Sequence, residues 1–349
     1  MSRPSKGVLL INLGTPDSPS VGDVWRYLRE FLMDGRVLDI PVFGRWLLVN
    51  LRIAPFRAPA SSRIYRELWT PGGSPLKIYG HKVVDLLQTS LGGDYHVALG
   101  MRYKNPSVHS ALEHFKNKGF SELTVIPLYP QYASASTGST VEKVMDDIKT
   151  WNVIPSVRCV NQFCEHPLFV NAFAEIGRRR LQKYPYEHIL FSYHGLPERQ
   201  IRKASCENYC RLNDTCCSAY HSRNRWCYRA QCFQTSRLLA KALGISGDKY
   251  TVCFQSRLGR DPWIKPYTDH ILKDLRTRGV KSVLAFSLSF VADCLETTVE
   301  IGMEYRKLFM DAGGERWDLA ESLNDSPAWV ECLVNLVRSQ SHKVTKSQG

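Results

Sequence analysis

Two stretches of the chain, residues 7–16 (GVLLINLGTP) and 188–197 (HILFSYHGLP), follow one plan: a nearly continuous apolar run, then a polar residue, a glycine and a proline. Apolar runs that do not alternate with polar residues mark strands covered on both faces, as in parallel sheets. Further runs stand at 95–101, 123–128, 250–254 and 282–286, and helical patterns at 109–118, 140–150, 167–183, 232–243 and 267–278 separate them. Strand and helix therefore alternate, which predicts an α/β protein of two Rossmann-like, doubly wound parallel-sheet domains. A chain of 349 residues suits two domains. The expected division is 1–153 and 154–326, followed by a helix at 327–339 that packs back on the first half and a polar tail to 349.

Ligands of such sheets sit beyond the carboxyl ends of the strands. That rule gathers Asn12, Tyr103, Gln131, His194, Gln255 and Asp293 around one cleft between the halves. His194 ends its apolar run and precedes a glycine, so its imidazole, the side chain that exchanges protons near neutrality, is expected at the mouth of the sheet. After the run at 282–286 come Asp293, Glu296, Glu300 and Glu304, spaced by three and four, which on a helix puts four carboxylates on one face. Repelling acids in a row suit the handling of cations or protons, and a solvated acidic face is the plain alternative. The segment at 128–141 (LYPQYASASTGSTV) resembles an anion-binding helix start, but it lacks the lysine of a P-loop, and no GxGxxG follows the first run. Nucleotide binding is thereby disfavoured.

Two segments break the alternation. Residues 26–60 interleave large apolar residues with Arg29, Arg36, Arg45, Arg52 and Arg57, a mixture that suits an anionic membrane surface or a flat apolar ligand with acidic tails. Residues 199–231 hold five of the eleven cysteines, at 206, 210, 216, 217 and 227, with Cys232 just beyond. No CxxC pair is present, so the stretch fits four thiolates on a [2Fe–2S] cluster, a zinc site of unusual spacing, or unligated thiols. No apolar run reaches bilayer length and the N-terminus lacks signal-peptide sections, so a cytoplasmic protein is expected. The formal charge of +13 implies an anionic partner without naming it.

The segments LLINLGTPDSP, GGSPLK, GMRYKNP, YPQYASASTGS, FSYHGLPER, FQSRLGRDPW, FVADCLETTVEIGMEY and ESLNDSP, in this order over nearly the whole chain, resemble the ferrochelatases. The resemblance implies a chelatase fold with a porphyrin cleft between its domains, and a lyase of haem biosynthesis that inserts Fe²⁺ into a porphyrin while two pyrrole protons leave. It matches His194 to the essential histidine and Glu296 to the essential acid, both in contact with the substrate iron. Asp293, Glu300 and Glu304 continue a proton or metal path, on a helix with a π-type widening. Arg57 and Ser74 match propionate contacts, and Leu13, Arg102, Tyr103 and Trp263 match other porphyrin-binding positions. Leu13 stands where coproporphyrin-using relatives tend to carry tyrosine, which favours protoporphyrin IX over coproporphyrin III. Cys294 stands where animal relatives have histidine. The 26–60 stretch becomes an apolar lip at a membrane surface, with peripheral association. Nucleic acid is not an expected partner, and a non-catalytic tetrapyrrole carrier is the reading from another class. No cysteine follows Cys332, so a cluster has to use the insert: Cys206, Cys210, Cys216 and Cys217, with Cys227 as replacement and zinc as the alternative metal.

Overall fold

The non-alternating apolar runs form parallel strands, as their covering on both faces requires. The computed structural model describes residues 6–339 except Asp214, Leu258 and Arg260, and most of the polar tail lies outside them. The described chain divides into two units. The first takes in the chain up to Leu128, Ala135–Gln162 and everything described from Asn324 on; the second is Tyr129–Ser134 with Phe163–Leu323.

The first unit's sheet is β1 (Lys6–Gly14), β2 (Tyr95–Tyr103), β3 (Glu122–Pro127) and β4 (Ser156–Cys159), in the spatial order β2-β1-β3-β4. The second unit's is β5 (His188–His194), β6 (Tyr250–Gln255), β7 (Ser282–Ser287) and β8 (Arg316–Leu319), in the order β6-β5-β7-β8. All pairings are parallel. The strand order thus reverses between β1 and β3 in one unit and between β5 and β7 in the other. Such switch points leave a crevice at the carboxyl ends of the strands, because neighbouring connections depart to opposite faces. In the second unit His194 and the loop after β7 flank that crevice.

The helices of the first unit are α1 (Val21–Leu32), α2 (Val42–Leu47), α3 (Ala54–Leu68), α4 (Pro75–Leu91), α5 (Val108–Lys118) and α6 (Ser139–Ile148). Those of the second are α7 (Pro167–Lys183), α8 (Glu198–Lys203), α9 (Tyr228–Leu243), α10 (Thr268–Thr277) and α11 (Arg306–Asp311), and α12 (Pro327–Arg338) returns to the first. Their limits follow local chemistry. The Ser20 and Ser107 hydroxyls accept the N–H groups of Asp23 and Ser110 to start α1 and α5, and Gly119 and Gly244 close α5 and α9 in the left-handed conformation. Proline opens α7 and α12, where its missing N–H costs nothing.

On one face of each sheet apolar side chains pack under two helices. Leu9, Ile11 and Val125 pack with Leu112 and Phe115 of α5 and Val144 of α6; Leu190, Val283 and Ala285 pack with Leu272 and Leu275 of α10 and Phe309 of α11. Burial of this kind contributes about 1.5–3 kcal/mol per large side chain. Strands β4 and β8 carry too short an apolar signal for the periodicity to reveal them. Because β4 pairs with β3, the first unit extends past residue 153. Helix α12 is held in that unit by the Arg158 guanidinium, which donates to the carbonyls of Leu336 and Val337 at 2.9 and 3.0 Å.

His188 opens β5 fully inside the sheet, its Nε2 2.9 Å from the Thr251 hydroxyl. Burial, aided by the charges of Arg278 and Lys249, pushes its pKa down to about 4. The unfolded chain binds that proton more readily than the folded one, so stability is full above about pH 6.5 and declines as pH falls towards 4, by at most about 3 kcal/mol. Urea unfolding of His188→Gln should therefore show a flatter acid limb between pH 6.5 and 4 than wild type; parallel limbs contradict the assignment.

Candidate active site

His194 closes β5 in register with Gln255, the last residue of β6, and the Gly195 N–H donates to the Gln255 carbonyl at 2.8 Å. A Cβ on residue 195 would lie 2.8 Å from that oxygen and 3.1 Å from Cε3 of Trp263, so only glycine permits this approach. The imidazole is half-buried, and its Nδ1 stands 2.6 Å from the Gly195 carbonyl. A carbonyl only accepts, so Nδ1 carries hydrogen, and in the neutral ring the Nε2 lone pair is left for a proton or a metal. The Trp263 ring flanks the imidazole at 6.3 Å between centroids. Behind it, the Tyr228 hydroxyl donates to the His194 carbonyl at 2.9 Å and the His194 N–H reaches the Ser289 hydroxyl at 3.4 Å.

The acids come from across the switch point. After β7 the chain turns and enters a π-helix, Glu296–Tyr305, in agreement with the widening the resemblance implies. π-Segments are rare and recur at functional sites. The Ile301 carbonyl receives the indole N–H of Trp317 from β8 at 3.0 Å, an extra anchor for this unusual turn. Asp293 does not belong to the row: it precedes the helix, and its carboxylate accepts the Ser322 N–H at 3.2 Å, a loop-fastening bond. Glu296 and Glu300 are half-buried, whereas Glu304 is exposed.

Glu300 is the most constrained of the set. Its carboxylate accepts from the Ser256 hydroxyl at 2.5 Å, the Gln255 amide at 3.2 Å and the Tyr305 hydroxyl at 3.2 Å. Gln255 is aligned in turn by the Ser192 hydroxyl, which donates to its Oε1 at 2.6 Å. Burial raises the Glu300 pKa, and the neighbouring charge of Glu296 adds to this; Ser256, the charge of His194 and Tyr305 pull the other way without cancelling it. His194 and Glu296 therefore both act electrostatically on Glu300, from opposite directions. Cys294, buried beside Glu296, is pushed upward by burial and by that carboxylate, so it stays a thiol. Residues 255, 256 and 305 lie inside segments that carry the resemblance, but only Gln255 was singled out, by its strand end, and Ser289 lies in none of them.

The expected porphyrin contacts of the first unit have distinct settings. Leu13 is half-buried and Arg57 exposed. Arg57 lines an open depression of about 720 Å³ with Leu51, Arg52, Ile53 and Phe56. Ser74 is buried, its hydroxyl 3.3 Å from that of Thr15. Arg102 is ion-paired with Asp34 at 2.5 Å and donates to the Ser139 hydroxyl at 2.6 Å. Tyr103 is 0% exposed and donates to Asp34 at 2.8 Å, so it has no free surface for a ligand and instead supports this pair. Burial raises the Asp34 pKa, but the Ser139 hydroxyl, the Arg36 N–H and the Arg102 charge outweigh it and hold the group ionised. No spacing rule links residue 34 to 102, 103 and 139, so the sequence did not reveal it.

In the insert, Cys206 is exposed, while Cys216, Cys217 and Cys227 are buried and Cys210 half-buried. Cys227 lies within hydrogen-bonding reach of both Cys210 and Cys217 and shares its one hydrogen with them, which favours its protonated form and lowers the other two to about 6. The sulfurs of Cys216 and Cys217 are 3.8 Å apart. Cys227 is thus grouped with Cys210, Cys216 and Cys217. Among the described residues no three His, Cys, Asp or Glu side chains are arranged to hold a single metal ion.

The chain superposes over 96% of its length on two solved structures, each covered to 94–95%: SirB from Bacillus subtilis with Fe³⁺ (TM-score 0.54, 10% identity) and the sirohydrochlorin chelatase SirB from B. subtilis subspecies spizizenii in complex with cobalt (TM-score 0.55, 9% identity). The paired parallel sheets are therefore those of the chelatase fold. The ferrochelatase sequence profile matches residues 5–341. Proteins named ferrochelatase from Legionella pneumophila (strain Paris) and Coxiella burnetii (strain Dugway 5J108-111) are 44% and 42% identical, over 96% and 95% of this chain and 99% and 93% of their own lengths. The chain belongs to the ferrochelatase family, metal chelatases that act on a porphyrin and ferrous iron.

Removing a donor to the Glu300 carboxylate destabilises its charged form. Ser256→Ala and Tyr305→Phe should each raise the Glu300 pKa further, Ser256→Ala by more, because its bond is the shorter and the stronger influence. A carboxyl ¹³C NMR titration of the labelled protein checks this, and a downward move in either variant contradicts it.

Proposed function

We propose that this protein inserts Fe²⁺ into protoporphyrin IX, releasing two pyrrole protons and forming protohaem as a step of haem biosynthesis; by class it is a lyase. The observation that carries the reading is a histidine with its Nε2 lone pair free beside two electrostatically linked carboxylates at a switch point. A porphyrin core must give up two protons as a hydrated dication arrives. His194 Nε2 accepts the first, and the resulting imidazolium is stabilised by the Gly195 carbonyl at Nδ1 and by the adjacent carboxylates. Glu296 takes up the second proton, and Glu300, with its raised pKa, passes it towards the exposed Glu304. A flat macrocycle resists metal entry, and bending it to expose pyrrole lone pairs draws on the binding of its apolar faces and propionates, for which Leu13, Trp263, Arg57, Ser74 and Arg102 are the proposed partners.

The half-buried, apolar Leu13 supports protoporphyrin over the more acidic coproporphyrin III. Val42, Phe43, Trp46, Leu51 and Phe56 are 46–77% exposed, amid Arg45, Arg52 and Arg57. Such a surface supports peripheral binding to an anionic membrane from the cytoplasmic side, where an apolar porphyrin dissolves. No described helix is long and apolar enough to cross a membrane.

The thiols of Cys210, Cys216, Cys217 and Cys227 fit a [2Fe–2S] cluster: four sulfurs are gathered, two of them readily ionised, with Arg229 close to Cys217. Zinc is the alternative metal for the same thiols. When bound, the cluster supplies a one-electron store and a cross-link of the insert.

Anaerobic iron-insertion assays test the activity. Wild type should metallate protoporphyrin in preference to coproporphyrin at equal concentration, while His194→Ala and Glu296→Gln should lose at least about 100-fold in kcat. Variants as active as wild type overturn the mechanism, faster turnover of coproporphyrin overturns the substrate, and stoichiometric uptake without insertion leaves a carrier. For the insert, protein purified without oxygen should be coloured and contain iron and acid-labile sulfide in equal amounts, and zinc without sulfide refutes the cluster.

A further inference from the structure

The insert and the histidine of the site meet at one residue. Cys227 is the last of the grouped thiols, and the next residue, Tyr228, opens α9. Tyr228 is buried, and its hydroxyl lies 2.9 Å from the His194 carbonyl and 3.0 Å from the Ser289 oxygen. Hydrogen counting fixes the directions. The carbonyl can only accept, so the tyrosine gives it its single hydrogen; Ser289 then donates to the tyrosine oxygen, and its lone pairs receive the His194 N–H at 3.4 Å. Both backbone groups of residue 194 are thereby held in a closed ring of three residues. The sheet itself does not do this on that side, because β7 pairs with β5 only as far as Ser192 and Ser287.

The other end of this connection is equally fixed. The Cys227 N–H donates to the Asn224 carbonyl at 2.9 Å, and its own carbonyl receives the Gln231 N–H at 3.0 Å. Arg229 donates to the Asn213 carbonyl and Arg237 to that of Cys217, each at 3.1 Å, and the Asn224 amide donates to the Cys216 carbonyl at 3.1 Å. A displacement of the thiols is transmitted through these bonds to the first turn of α9, where Tyr228 stands one peptide bond from Cys227.

We propose that Tyr228 is a positioning residue through which the grouped thiols of the insert hold the imidazole of His194 in place. The proposal builds on the reading of His194 as proton acceptor and gives the insert a part in the reaction that needs no electron transfer. Occupation, oxidation or loss of the thiols changes the reach of the Nε2 atom, and with it the rate of proton removal, while the surfaces that bind substrate are untouched.

The test is a double-substitution cycle on anaerobically purified, full-length protein with ¹⁵N-labelled histidine: wild type, Tyr228→Phe, Cys227→Ala and the two combined, with His194→Gln to assign the ring signals. Tyr228→Phe keeps the ring and its packing. It should leave the KM for protoporphyrin within about two-fold, lower kcat by about ten-fold or more, and move the ¹⁵N signals of His194. Cys227→Ala should move the same signals, and adding it to Tyr228→Phe should change them and kcat little further. Unmoved His194 signals in Tyr228→Phe, or effects of the two substitutions that multiply, overturn the proposal. Should Tyr228→Phe fail to fold, Ser289→Ala opens the same ring from the other side and answers by the same criteria. A wild type that inserts no iron refutes the function proposed above, and the NMR arm still decides the coupling.

Discussion

The site depends on a single close approach of two backbones, where the Gly195 N–H meets the Gln255 carbonyl at the ends of β5 and β6. That contact directs the His194 ring outward and lets its Nδ1 find the next carbonyl. It also sets the Gln255 side chain against Glu300. Strand ends are suited to this task, because the ladder beneath them is rigid and buried while their last side chains are free of it. Extra volume at residue 195 would separate the strands by pressing on main chain and on Trp263, which cannot yield as a flexible side chain does.

Around this frame the electrostatics are unequal by construction. Carboxylates close to one another and partly removed from water do not all ionise alike, and here the deeper one, Glu300, holds its proton more readily than an ordinary glutamate. An imidazole nearby lowers that cost when it is charged. The charges of Glu296 and His194 thus shift the proton affinity of Glu300 in opposite senses. The π-helix contributes geometry: its wider turn changes the angular step between acids four residues apart, and Trp317 satisfies a carbonyl within it.

Much of this was legible in the chain. The apolar runs gave the six longer strands, and the strand-end rule picked out His194 and Gln255 before any contact was known. What escaped had physical reasons. Four-residue edge strands such as β4 and β8 carry no period long enough to detect. Asp34 and Ser256 act through partners far away in sequence, and pattern reasoning sees only neighbours. Asp293 shared the spacing of the acidic row but not its helix, because capping and loop bonds, not spacing, decide where a helix starts. Among the cysteines, spacing could not tell that Cys206 faces solvent while Cys227, ten residues past its nearest companion, folds back among them.

The two sheets share one strand order, second-first-third-fourth, and a crowded glycine stands at the end of β1 and directly after β5: a Cβ on Gly14 would strike the Tyr103 carbonyl of β2, as one on Gly195 would strike that of Gln255. The residue before each glycine is thus one slot present twice, filled by Leu13 in the first copy and His194 in the second. On the proposed function the two slots divide the work, one as an apolar selector of the macrocycle and the other as the proton acceptor. Because each slot is set by its own strand and its own glycine, a change of side chain at the selector leaves the backbone that aims the acceptor unchanged.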